Sequence, residues 1–146
     1  MKKTVAALLV CILFALLIPV SAADAAQAEP LPDGGYFVTE TVVTPVSRGS
    51  LNVEKRDYYY NNSGEKQWTM VLHGSFTYNG TTAACTSASI TYTIYNSNWH
   101  FQSKNAWPSG NTANGTLTMD RKFLGITIQT VTKSLTITCD ANGNIS

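Results

Sequence analysis

The sequence predicts an all-β fold, either an antiparallel β-sandwich or a partly closed barrel. From residue 36 onward the chain is rich in Thr, Val, Ile and Tyr, which suit the pleated, half-buried surface of a sheet. Apolar and polar residues alternate over short segments, and no segment has a helical period. Asn and Gly recur between these segments as turn formers, so about seven to nine short strands are expected.

Residues 1–22 have the pattern of a bacterial signal peptide. Two lysines near the start precede an uncharged apolar run over residues 5–18, and Val20-Ser21-Ala22 supplies the small residues of a cleavage site. A helix over the apolar run would rise roughly 21 Å, against about 30 Å for a bilayer core, so cleavage is expected and a membrane span is not. Cleavage after Ala22 is favoured, and Ala28 marks a second site. The prediction is a secreted, extracellular protein without a transmembrane anchor after processing.

The segment between the signal peptide and the domain reads as a flexible leader. Residues 23–35 carry Pro30, Pro32 and a Gly pair, and they lack an apolar period. A single β domain is therefore expected over residues 36–146.

The charge of the exported chain is close to neutral. The full chain has ten basic and nine acidic residues, and loss of Lys2 and Lys3 leaves eight basic residues. Because nucleic-acid binding depends on clustered positive charge, we expect no nucleic-acid partner.

The clearest strand covers residues 67–78, where large apolar residues occupy every second position from Trp68 to Leu72. It stops at Asn79-Gly80, a dipeptide that suits a type I′ hairpin turn because both central residues of that turn need positive φ. A strand over residues 51–60 precedes it, so the two strands are expected to pair.

Later strands are expected around residues 90–94, from residue 99, over 112–119 and over 126–139, with a turn at residues 107–110. The apolar positions change parity between Ile128 and Val131, and again between Cys85 and Ile90. Because a regular strand keeps its two faces, each change predicts a β-bulge or a bend.

The sequence predicts an immunoglobulin-like fold in architecture only. Cys85 and Trp99 have about the spacing of the first cysteine and the core tryptophan of an immunoglobulin domain. Ile137, however, stands where a tyrosine corner would place Tyr, and too few residues follow Cys139 for a normal final strand.

Two cysteines remain after processing, because Cys11 leaves with the signal peptide. In an oxidising compartment, Cys85 and Cys139 predict one disulfide. The bridge would close a loop of roughly 54 residues and contribute about 4 kcal/mol. Two free thiols are the alternative. A metal site is not expected, since His73 and His100 have no recognisable ligand spacing.

No catalytic motif is recognisable in the sequence. The chain lacks a Gly-x-Ser-x-Gly elbow, a His-Glu-x-x-His motif and a phosphate-binding glycine loop. His73 and His100 are expected to be structural or surface residues, with a base paired to a distant serine or aspartate as the alternative for His73. The prediction is a protein that is not an enzyme and that uses no cofactor or metal.

Aromatic residues supply the candidate binding site, which consists of Tyr58, Tyr59 and Tyr60. Three consecutive tyrosines on a strand must alternate between its faces, so at least one ring is expected off the core face. Exposed tyrosines stack on ligands or anchor protein partners. The favoured expectation is nevertheless that Trp68 and Trp99 are core residues and that the tyrosines are ordinary sheet residues.

The segments Gly74–Gly80, Cys85-Thr86-Ser87 and Leu135–Cys139 resemble small exported bacterial β-domain proteins of unassigned function. This resemblance implies export and a β domain, and it implies no activity. We therefore expect a secreted non-enzymatic β-domain that serves as a binding or interaction module at or near the cell surface. Its partner would be an extracellular protein or a glycan. The alternatives are a carbohydrate-binding module and a small secreted hydrolase.

Overall fold

The computed structural model describes residues 28–146, which form two antiparallel β-sheets, and the predicted all-β class is confirmed. Residues 1–27, with the predicted signal peptide and the start of the predicted leader, lie outside the described residues. The strands are β1 (Ala28–Pro30), β2 (Tyr36–Ser47), β3 (Ser50–Tyr60), β4 (Lys66–Tyr78), β5 (Ala83–Ile94), β6 (Trp99–Ser109), β7 (Thr112–Phe123) and β8 (Ile126–Thr138). Over residues 28–146 the fold contains no helix of the length and apolarity that a membrane crossing needs.

The strand order follows the chain order in both sheets. The first sheet has the order β1-β2-β3-β4-β5, and the second has the order β6-β7-β8. The chain crosses between the sheets after β5, and the sheets do not close onto each other, so the sandwich is formed and the barrel alternative is wrong. An immunoglobulin domain uses Greek-key connections, whereas these sheets are built of consecutive hairpins.

Both predicted irregularities are β-bulges. The β4–β5 register shifts at Phe76, where β5 carries Thr86 as an extra residue. The β7–β8 register shifts at Lys122, where β8 carries Ile128 as an extra residue. The changes of apolar parity in the sequence therefore mark real breaks in the two ladders.

The core lies between the sheets and contains a cluster of aromatic rings. Trp68 is fully buried, and its ring lies 5.4 Å from Phe37, 5.3 Å from Tyr59 and 6.1 Å from Trp99, measured between centroids. The indole nitrogen of Trp99 donates to the buried Gln67 side chain at 3.2 Å. The remaining fully buried apolar side chains include Met70, Leu72, Phe76, Ala113, Leu117, Met119 and Ile137. The expectation that Trp68 and Trp99 are core residues is confirmed.

Residues 28–35 differ from the predicted flexible leader. β1 pairs with the start of β2, with Glu29 opposite Phe37. Leu31 packs against the core, and its backbone amide donates to the carbonyl of Gly35 at 2.7 Å. Pro32, Gly34 and Gly35 thus lie in a turn between two paired strands, so residues 28–35 are part of the described fold.

Two predicted turns also differ. Asn79 does not have positive φ, and its side chain instead accepts hydrogen bonds from the amides of Thr81 and Thr82 at 2.9 and 2.8 Å. The hairpin forms as expected, but its loop is wider than a type I′ turn. Pro108 continues β6, and the chain turns at Gly110. An edge strand such as β6 tolerates proline, because only one side of the strand needs ladder hydrogen bonds.

The predicted disulfide is wrong in this structure, because Cys85 and Cys139 are free thiols. The two sulfurs are not bonded, and each donates to a local carbonyl, Cys85 to Ser87 at 3.2 Å and Cys139 to Asp140 at 3.4 Å. A bridge requires Cβ atoms about 3.5–4.5 Å apart. An even number of cysteines indicates a redox compartment but does not bring two side chains together. Burial raises the pKa of both thiols.

One buried ion pair joins the two sheets. Asp57 on β3 is fully buried, and the Lys133 Nζ on β8 lies 3.2 Å from its Oδ2. The Thr39 hydroxyl donates to the other carboxylate oxygen at 2.5 Å. Lys133 also pairs with Glu29 of β1, and its ammonium lies 4.5 Å from the ring centre of Phe37. Burial acts to lower the pKa of Lys133, but the two carboxylates raise it above its ordinary value.

Candidate functional site

Alternation along β3 divides the three candidate tyrosines between the two faces of the sheet. Tyr59 points inward, is 2% exposed, and lies 5.3 Å from Trp99 between ring centroids. Its hydroxyl donates to Asp33 at 3.2 Å. This ring belongs to the core and is inaccessible to a ligand. Tyr58 and Tyr60 lie half-buried on the outer face, so the expected ring off the core face is present.

Four tyrosines and one lysine form a continuous patch at one end of this outer face. We call it the tyrosine surface, and it consists of Tyr36, Tyr58, Tyr60, Tyr95 and Lys66. The Tyr36 and Tyr60 rings are cross-strand neighbours and stack 5.2 Å apart at 10°. The Lys66 ammonium lies 4.4 Å from the centre of the Tyr58 ring, 5.8 Å from Tyr60 and 5.4 Å from Tyr95. All three distances are within the cation–π range.

Three members of the tyrosine surface, Tyr36, Tyr95 and Lys66, were not among the site residues predicted from the sequence. Tyr36 joins it because the β2–β3 register places Tyr36 opposite Tyr60. Lys66 joins it at the register shift between Tyr59 and Tyr60 in the β3–β4 ladder. Both contacts depend on strand register, which the local alternation pattern does not contain.

The contacts inside the tyrosine surface decide what it presents to a ligand. Tyr36 and Tyr60 each cover one face of the other ring, and Lys66 occupies one face of Tyr58. Tyr95 is the most open ring, with 55% of its surface exposed. The surface therefore presents mainly ring edges, hydroxyl groups and one ammonium group.

A row of charged side chains continues from the tyrosine surface along the outer face. The Tyr58 hydroxyl donates to Glu40 at 3.0 Å, and Arg56 pairs with Glu40 at 3.8 Å and with Glu54 at 2.5 Å. The hydrogen bond from Arg56 lowers the pKa of Glu54. Burial, followed by the bond to Glu40, raises the pKa of Tyr58. The row holds fixed charges of both signs beside the aromatic rings.

The same row contains a carboxylate, an imidazole and a hydroxyl in the order of a catalytic triad. Glu54 Oε1 lies 3.5 Å from His73 Nδ1, and His73 Nε2 lies 2.8 Å from the Thr91 hydroxyl. A triad also needs donors that stabilise an oxyanion. His73 lies on the interior strand β4, whereas Thr91, which carries the hydroxyl, lies on β5 at the edge of the sheet. His100 is exposed on β6, opposite Asp120 and away from this row.

A shallow cavity of about 350 Å³ lies between the β1–β2 turn and β8. Its wall includes Leu31, Asp33, Gln129 and Val131. Burial acts to raise the pKa of Asp33, but hydrogen bonds from Gly35, Gln129 and Tyr59 lower it below its ordinary value. These bonds are made within the protein, so the carboxylate acts as a link between the turn and β8.

Over the described residues 28–146, no three His, Cys, Asp or Glu side chains are grouped to hold a metal ion. Comparison of the chain with protein-family models, with curated proteins and with solved structures finds no match.

Proposed function

We propose that this chain is a secreted, non-enzymatic binding or interaction module that acts at or near the cell surface, and that the tyrosine surface is its binding face. One observation carries the proposal, namely that four tyrosine rings outside the core share one face around Lys66. Tyrosine is enriched among the residues that dominate binding energy at interfaces. Rings already held by stacking and cation–π contacts lose little conformational entropy when a partner binds.

The geometry of the rings favours an extracellular protein as the partner. A sugar ring stacks on an open aromatic face, and Tyr36, Tyr58 and Tyr60 each have one face covered. Ring edges, hydroxyls and the adjacent charged row suit the polar and apolar mixture of a protein surface. A carbohydrate-binding module is the second candidate, supported by the open ring of Tyr95.

A small hydrolase is the third candidate, and it rests on the order of Glu54, His73 and Thr91. Turnover of generic ester or amide substrates that is lost in Thr91→Ala, with stability unchanged, would establish it. We expect no turnover by either protein.

Binding to cells of the source organism provides the test. The labelled protein should bind intact cells, and Tyr58→Ala or Tyr60→Ala should weaken binding roughly fivefold or more with little loss of stability. Tyr59→Ala is the matched control, because truncation of this core ring should cost about 3–5 kcal/mol of stability. Protease treatment of the cells should abolish binding, whereas loss after glycosidase treatment would favour the carbohydrate-binding module. Cell binding that is equal in wild type and in both surface variants contradicts the proposal.

A further inference from the structure

The tip of the β7–β8 hairpin exposes four large apolar side chains within six residues. Phe123 is 63% exposed, Leu124 86%, Ile126 69% and Ile128 56%. We call these four residues the apolar tip. Scattered exposed apolar residues are ordinary, but a contiguous group marks an interaction site or an aggregation hazard.

The backbone at the apolar tip forms a tight turn, but the leucine at position 124 does not suit that turn. Phe123 pairs directly with Ile126, so Leu124 and Gly125 form a two-residue loop with φ of 50° and 79°. Such a loop prefers Asn, Asp or Gly, and positive φ is unfavourable for a bulky residue such as leucine. Leu124 also makes no contribution to the core, since it is the most exposed large apolar residue described. Neither folding nor local conformation explains a leucine here.

The apolar tip projects beyond the rest of its sheet. The first β6–β7 pair is Trp99 with Arg121, and the amide of Lys122 makes the last bond to the preceding loop, at the carbonyl of Asn98. Past Lys122 only Phe123 and Ile126 pair, and they pair with each other. Within its own sheet the tip is therefore a two-stranded projection, and a partner protein would need a pocket to cover it.

Two basic side chains lie directly behind the apolar tip. Alternation along β7 places Arg121 on the face of Phe123 and Lys122 on the opposite face. Residues 121–128 contain no acidic residue. Over the described residues 28–146, neither basic side chain forms an ion pair. The preceding carboxylate, Asp120, accepts a hydrogen bond from the Thr130 hydroxyl.

We propose that the apolar tip inserts into the interface of a lipid bilayer that carries anionic headgroups. Strands rise about 3.4 Å per residue, so the tip extends roughly 7–10 Å beyond Arg121 and Lys122. Amphipathic elements at a bilayer interface bury to about 5–10 Å. At that depth the two basic groups lie at the level of the lipid phosphates, which attract them. The proposal does not depend on the tyrosine surface or its partner.

The test places a tryptophan at the tip of the full chain and measures its quenching by vesicles with brominated acyl chains. The probe is Leu124→Trp. The matched control is Val46→Trp, because Val46 is 59% exposed near the turn at the opposite end of the sandwich. Vesicles of phosphatidylcholine mixed with phosphatidylglycerol should quench and blue-shift the tip probe and leave the control unchanged. Vesicles of phosphatidylcholine alone should quench and blue-shift the tip probe only weakly. Thermal unfolding should be the same for both proteins.

Removal of the charges tests the anionic preference separately. Arg121→Gln combined with Lys122→Gln in the tip probe should weaken its binding to the mixed vesicles roughly tenfold or more. Equal quenching of the two probes would mean that another part of the chain binds the lipid, and it would overturn the proposal. No quenching, together with self-association that Leu124→Asp abolishes, would make the tip a contact between copies and would also overturn it.

Discussion

Replacement of Lys133 by methionine should lower the free energy of unfolding by about 3–5 kcal/mol, because it leaves a buried carboxylate without its cation. Asp57 is fully buried, and only 12% of the Lys133 side chain is exposed. After the change, the Thr39 hydroxyl is the remaining partner of Asp57, at 2.5 Å. Methionine keeps much of the apolar contact with Phe37, so the loss reports mainly on charge.

Urea unfolding followed by circular dichroism measures this loss. Arg48→Met is the control, since Arg48 is exposed in a turn and its loss should change stability by less than about 0.5 kcal/mol. The double variant Asp57→Leu with Lys133→Met should recover much of the stability, because apolar replacement of both partners removes the unpaired charge. A loss below about 1 kcal/mol in Lys133→Met would refute the reasoning, since Asp57 would then have to reach water or another cation.

Three further predictions concern the thiols, acid stability and core packing. Denaturation without a reductant should expose Cys85 and Cys139 to a thiol reagent, whereas labelling only after reduction would show that they are bridged. Native labelling should be slow, because burial raises both pKa values. The lowered pKa of Asp33 means that its stabilisation is present above the unfolded pKa of about 3.9 and is lost as the pH falls through the folded value. Asp33→Asn should therefore flatten the fall in Tm in acid, and an unchanged profile would contradict this assignment. Gly74→Ala should cost about 1–3 kcal/mol, because the new Cβ would lie 2.6 Å from the Phe76 ring. An unchanged Tm would mean that the ring moves aside freely.

The strands were predictable where one face of a strand is buried. Along β4, the side chains of Trp68, Met70 and Leu72 are all fully buried, as the spacing of large apolar residues indicates. The changes of parity located the two bulges, because one extra residue reverses the face of every side chain that follows it. These signals are local, so a single segment contains them.

The candidate site was only partly predictable, because it depends on which strands lie side by side. The sequence indicated that a ring of Tyr58–Tyr60 lies off the core face. It did not indicate that Tyr36 stacks on Tyr60 or that Lys66 lies over three rings. The disulfide is absent although the amides of Cys85 and Cys139 bond to the adjacent carbonyls of Gly110 and Asn111, because each thiol donates to a different local carbonyl.

Turn chemistry explains the remaining differences and bears on the apolar tip. Asn79-Gly80 has the preferred sequence for a two-residue hairpin loop, yet Asn79 uses its side chain to build a wider loop. The two-residue loop with positive φ at both positions occurs instead at Leu124-Gly125. The conformational preference for Asn or Gly is therefore overridden at Leu124, whose side chain is 86% exposed. That conflict between local preference and position supports the proposed contact of the apolar tip outside the domain.

Charged residues at inward positions also conflict with their location, and this conflict indicates which strands face each other. Alternation along β3 points Asp57 inward, as it does Lys55 and Tyr59. Alternation along β8 likewise points Lys133 inward, as it does Val131 and Leu135. A fully buried charge such as Asp57 is too costly to retain alone, so it implies an opposite charge on the facing sheet. Lys55 is only half-buried, and it donates to the Thr136 carbonyl at 3.1 Å instead. Opposite charges at inward positions on two strands therefore suggest that those strands face each other. In this chain Asp57 and Lys133 would have indicated that β3 faces β8, where the Lys133 Nζ lies 3.2 Å from the Asp57 Oδ2.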